Sequence, residues 1–99
     1  MKIFISGPIT GIDNFLECFN NAEKRLIDKG YTVYNPAKAN LLMPEGTTHE
    51  EYMKISFILL DMVDAIYMLK EWEGSRGANQ EYGYAIAKGL TVLKEGECE

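Results

Sequence analysis

The chain is 99 residues long, 46% hydrophobic and 25% charged, with a formal net charge of -5. That composition is globular and excludes intrinsic disorder. A net negative chain lacks the lysine and arginine footprint on which DNA or RNA backbone binding depends, so no polymeric nucleic acid is expected as partner. A small anionic ligand is still compatible with a locally positive field.

A chain this short buries only about 60–65% of the surface its unfolded form exposes, so a single domain over 1–99 is expected. No window approaches the roughly 18–20 apolar residues of a membrane span. The run Ile3-Phe4-Ile5 is too short for the core of a secretion signal. A cytoplasmic protein with no membrane partner is therefore expected. Cys18 and Cys98 are too few and too ill-spaced for a disulfide framework or a zinc site, and read as free thiols. No cluster of metal-ligating residues is seen, and no cofactor is expected.

Residues 2–6 are a short apolar run ending at Gly7-Pro8, which reads as a buried strand. Over 14–29, Phe15, Cys18, Phe19, Ala22 and Leu26 recur at the spacing of one helix face. Asp13 or Asn14 can cap that helix, and Gly30 stops it. Residues 31–34 form a second strand, ended by Asn35-Pro36, and 36–47 read as irregular. Thr48 and Glu51 then make a capping box, and Ile55, Ile58, Leu59 and Met62 carry a helix to about Val63. Residues 65–69 form a third strand and 70–76 a polar turn. A helix begins at Gly77 or Ala78 and ends at Gly89, and 90–93 form a last strand.

The resulting order is β-α-β-α-β-α-β. Its continuously apolar strands suit a parallel sheet covered on both faces. Right-handed crossovers predict a small Rossmann- or flavodoxin-like α/β fold of about four strands, ordered 2-1-3-4, with helices on both faces. Ligands in such sheets bind beyond the carboxyl ends of the strands, at the switch point, so loops 6–13, 35–47 and 70–78 become the candidate site.

The first loop carries Gly7, Pro8, Ile9, Thr10 and Gly11. Its glycines allow close backbone approach to a ligand, but it matches neither the Walker A nor the dinucleotide glycine pattern. On spacing alone it is a tight strand-to-helix turn. In the third loop, Ser75 and Gly77 can donate to an anion at a helix N-terminus, with Arg76 beside them. Two readings stand for Trp72: a stacking face for a nucleobase, or an aromatic covering the sheet end. Two also stand for Glu81, which shares a helix side with Ala78 and Ala85. It is either a carboxylate buried for use or a first-turn residue favouring the helix dipole. Asp61 and Asp64 read as turn or cap residues, and His49 as a solvated surface residue.

Several segments together resemble a small family often encoded by phages and bacteria. They are Ile3-Phe4-Ile5-Ser6-Gly7-Pro8-Ile9-Thr10-Gly11, Phe19-Asn20, Gly30-Tyr31-Thr32-Val33-Tyr34-Asn35-Pro36, Asp64-Ala65-Ile66-Tyr67-Met68-Leu69, Trp72-Glu73-Gly74-Ser75-Arg76-Gly77-Ala78 and Glu81. That family is similar to the nucleoside 2-deoxyribosyltransferases and the deoxynucleoside 5'-monophosphate N-glycosidases. The resemblance implies cleavage or transfer at the N-glycosidic bond of a 2'-deoxynucleoside or its 5'-monophosphate, with Glu81 as nucleophile in a two-step retaining reaction. It implies that Ser75 and Gly77 hold the 5' end and that the 7–11 loop lines the sugar and base pocket. It also implies a homodimer or higher homo-oligomer. The apolar run Phe57-Ile58-Leu59-Leu60, too broad for one buried stripe, points the same way.

The chain departs from the resemblance at Ser56, where the related enzymes carry an aspartate that helps bind the sugar and protonate the leaving base. Glu71, Glu73 and Asp13 are the acidic residues available in its stead. Thr10 stands where some nucleotide hydrolases have a phosphate-binding arginine, which leaves two alternatives: Arg76 compensates, or phosphate is not recognised. Beside the enzyme reading stands a non-catalytic nucleotide-binding or sensing module that kept the pocket but lacks that aspartate.

Overall fold

Four strands pair side by side, all parallel and in the order β2-β1-β3-β4, in the computed structural model, which describes residues 1–96. They are β1 (Lys2–Ser6), β2 (Thr32–Tyr34), β3 (Ala65–Met68) and β4 (Thr91–Lys94). The helices are α1 (Phe15–Asp28), α2 (Pro36–Asn40), α3 (His49–Leu60) and α4 (Arg76–Lys88), with a 3-10 turn at Trp72–Gly74. This is the predicted α/β fold and strand order. Cys98 lies outside the described residues, and Cys18 is exposed. Among the described residues no helix is long and apolar enough to cross a membrane.

Alternation along the two central strands sorts side chains between the faces. Ile3, Ile5, Ala65, Tyr67 and Leu69 face α1 and pack with its Phe19, Ala22 and Leu26 and with Ala37 of α2. Phe4, Ile66 and Met68 face the other way, onto Leu60 and Val63 beside α3 and Ala78 and Ala85 of α4. β3 is buried throughout and β1 from Ile3 onward. The edge strands β2 and β4 are half-exposed, as strands with a single paired neighbour can be.

Local chemistry sets the helix starts. At α3 the predicted capping box is complete: the Glu51 amide donates to Thr48 Oγ1 at 3.2 Å, and the Thr48 amide donates to Glu51 Oε1 at 2.9 Å. At α4 the cap is Ser75, whose Oγ accepts from the Ala78 amide at 3.2 Å, so the helix starts one or two residues before the predicted position. Asn14 stands at the start of α1 but makes no side-chain cap bond.

Two expectations are corrected. The stretch read as irregular contains α2, a single turn started by Pro36 and capped by Asn35 Oδ1, which accepts from the Ala37 amide at 3.0 Å. Five residues are too few to show a helical period. The buried line of α3 is Met53, Ser56 and Leu60, whereas Ile58 and Met62 are exposed. Four apolar residues in succession, 57–60, leave the phase of the helix open, and packing on the sheet chooses it.

Candidate active site

The crossovers from β1 and β3 leave the sheet on opposite faces, which opens a crevice at the carboxyl ends of these strands. A cleft of about 290 Å³ lies there, at the lower end of the size of small-molecule sites. A larger cleft of about 640 Å³ adjoins it. The two share Thr10, His49, Ser75 and Gly77.

Glu81 lies in the inner cleft, only 7% exposed. Small neighbours on α4, Ala78 and Ala85, let that side of the helix lie close against the sheet, and Glu81 comes with it. The Ser6 hydroxyl at the end of β1 donates to Glu81 Oε1 at 2.7 Å. The Ser56 hydroxyl of α3 also hydrogen-bonds the carboxyl group. Burial pushes the Glu81 carboxyl up to about 7, and the two hydroxyls hold it from rising further. Near neutral pH the group is thus divided between its protonated and its ionised form.

The predicted site residues fall into three sets. Gly7, Ile9, Thr10, Ser75, Gly77 and Glu81 line the inner cleft. Pro8 and Arg76 line the outer one, where Arg76 is largely exposed and stands 3.7 Å from Glu50. Gly11 and Trp72 line neither. Trp72 packs on Tyr82 with ring centroids 4.8 Å apart and joins the layer over β3, so it covers the sheet end. Gly11 has φ 78 and nothing within 4 Å of a Cβ, so its glycine serves the turn. At Gly7 a Cβ would stand 2.8 Å from Leu69, so that glycine is required by the close approach of β3.

His49 is corrected from a solvated residue to a cleft residue. It is half-buried, lines both clefts, and its Nε2 is 2.6 Å from Gln80 Oε1. The signal was available: the capping box fixes His49 as the first residue of a crossover helix, and such helices begin at the carboxyl edge of the sheet. Ser6 opens the candidate loop 6–13 but carried no role of its own, although it follows Phe4 by two positions and so points to the same face. Asn40, whose buried Oδ1 has no partner, lies in the candidate stretch 35–47, and Met53 reaches the inner cleft through a helix position that no pattern marked.

Of the proposed substitute acids, Glu71 lines the outer cleft, while Glu73 and Asp13 line neither. Asp64 accepts from the Lys2 amide at the far edge of the sheet, and Asp61 pairs with Lys88 and Tyr84. Among the described residues no group of three or more His, Cys, Asp or Glu is placed to hold a metal ion.

Fold and cleft together define a small parallel α/β domain with a buried carboxyl at its switch point. Residues 1–94 match the family model of DUF4406, a domain of unknown function, and the chain belongs to that family. The fold is similar to that of a 2-deoxyribosyltransferase from the psychrotolerant bacterium Bacillus psychrosaccharolyticus. The likeness has a TM-score of 0.78 at 23% identity, covering 100% of this chain and 77% of that one. No curated protein matches the sequence.

Proposed function

We propose that the protein cleaves or exchanges the N-glycosidic bond of a 2'-deoxynucleoside or its 5'-monophosphate. The observation that carries this reading is Glu81, a buried carboxyl poised near neutrality and held by two hydroxyls in a cleft at the switch point. The likeness in fold to a 2-deoxyribosyltransferase agrees with it. In the first step the Glu81 carboxylate attacks C1', and the C1'–N bond breaks with its electron pair leaving on the base, which takes up a proton. In the second step water or another base attacks C1' and frees the carboxylate, so configuration is retained. Ser6 and Ser56 donate to the carboxylate and hold its orientation. Arg76 and the free amides at the start of α4 would receive a 5'-phosphate in the outer cleft. The exposed Ile58 of α3 and Met62 just after that helix are the apolar surface offered to a second copy in a homodimer, which light scattering would detect.

Ser56 in place of an aspartate favours the second reading, a nucleotide-binding module without turnover. One experiment separates the two. The four 2'-deoxynucleosides and their 5'-monophosphates are incubated with the protein, with and without a free base, and base release or exchange is followed by chromatography. Wild type is expected to release base, and Glu81→Gln to lose on the order of 10³-fold or more. Ligands that raise the melting temperature yet are recovered intact would establish the binding module instead.

A further inference from the structure

The glycosidic bond does not break well unless the departing base receives a proton, and the residue at 56 is a serine, whose hydroxyl is no acid at neutral pH. The structure narrows the source. Among the residues lining the inner cleft, the titratable ones are Glu81, Tyr52 and His49. Glu81 is committed to the anomeric carbon in the proposed reaction. A tyrosine hydroxyl is a poor acid at neutral pH, whereas imidazole gives and takes protons in that range. Glu73 and Asp13 are outside both clefts, and Glu71 reaches only the outer one.

We infer that His49 is the proton donor to the leaving base, taking over the acid role that the residue at 56 does not fill. This rests on the glycosidic reading of Glu81. The geometry is suited to it. Gln80 Oε1 accepts at 2.6 Å, so Nε2 carries a proton and the ring is held against α4. Nδ1 is then the nitrogen that loads and releases the second proton. In the first step the imidazolium gives that proton to a ring nitrogen of the base as the C1'–N pair moves into the base. The base departs neutral, Glu81 becomes an ester, and His49 is left as neutral imidazole. In the second step the neutral imidazole takes the proton of the attacking water or acceptor base, which restores the imidazolium.

The charges around His49 come from several elements. Glu50 and Glu51 follow it on α3, and Glu51 is held in the capping box. From α4 come Arg76, itself beside Glu50, and Glu81 in the inner cleft, and from the loop after β3 comes Glu71 in the outer cleft.

The test is base release from the same eight deoxynucleosides and monophosphates by wild type, His49→Gln, His49→Asn and Gln80→Ala across pH 5–9. Wild type should give a bell, rising as Glu81 ionises and falling as His49 loses its proton. Either His49 variant should lose about 10²-fold or more in kcat with little change in KM, and should lose the falling limb. Gln80→Ala, which removes a positioning residue, should keep that limb with its midpoint displaced. A His49 variant that folds and keeps both the falling limb and a rate within about threefold of wild type would overturn the inference while leaving Glu81 in its role. Absence of base release by wild type from all eight compounds would instead overturn the glycosidic reading, and this inference with it.

Discussion

The two faces of the sheet are made by the same strands, yet consecutive residues of β1 enter different surroundings. Ile5 joins Phe19, Ala22 and Leu26 in an apolar layer under α1. Ser6 turns to the opposite layer and meets Glu81, which Ser56 also hydrogen-bonds, between α3 and α4. The first layer gains stability from every side chain it buries. The second gives some of it up, because a carboxyl taken out of water disfavours its own charged form. The difference separates what holds this chain folded from what it keeps for chemistry.

The comparison is tested most severely on the α1 side. Phe19→Ala should cost about 3–5 kcal/mol, read as a lower urea midpoint, because a fully buried ring is replaced by a cavity. If the loss were under about 1 kcal/mol, the α1 layer would not be the main anchor. On the other side, removing the buried charge should do the reverse. The folded state favours the neutral Glu81 carboxyl, since its value rises from 4.5 to about 7. Its contribution is therefore intact below 4.5 and is lost as pH rises through about 7. The stability of wild type relative to Glu81→Gln should fall by roughly 3 kcal/mol across that window and then level off. A pH-independent difference between the two would remove the strain assigned to this face. The smallest effect belongs to the seam between the faces. Gly7→Ala should cost about 1–3 kcal/mol by driving a Cβ into Leu69, measured by thermal melting, and a neutral result would mean that β3 gives way there.

Much of this was legible in the residues. The apolar runs, the Thr48–Glu51 capping box and Gly30 and Gly89 as helix stops mark the order of elements, and the right-handed crossover rule turns that order into a strand sequence. The crevice follows from the topology, so Ser75, Gly77 and the loop after β1 could be named in advance, whereas the residues alone left two readings for Glu81 and the resemblance singled it out. What failed was local and phase-dependent. Of the two readings open for Trp72, packing on Tyr82 selects the one in which it covers the sheet end. His49 looked solvated because a lone histidine beside two glutamates carries no periodic signal. The exposed Ile58 could not be told from the buried Leu60 inside an unbroken apolar run.

The sequence by itself determined the parallel sheet, its order and the edge on which a ligand would be held. These follow from short-range chemistry: caps, glycine stops, apolar periods and the handedness of crossovers. Only the tertiary structure decided that Glu81 is buried and titrates near neutrality. It also decided that Ser6 and Ser56 hold Glu81 and that His49 stands over both clefts. Those facts depend on the rotation of α3 and α4 about their axes against the sheet. That rotation is set by which side chains pack on Phe4, Ile66 and Met68, and Phe4 is far from both helices along the chain.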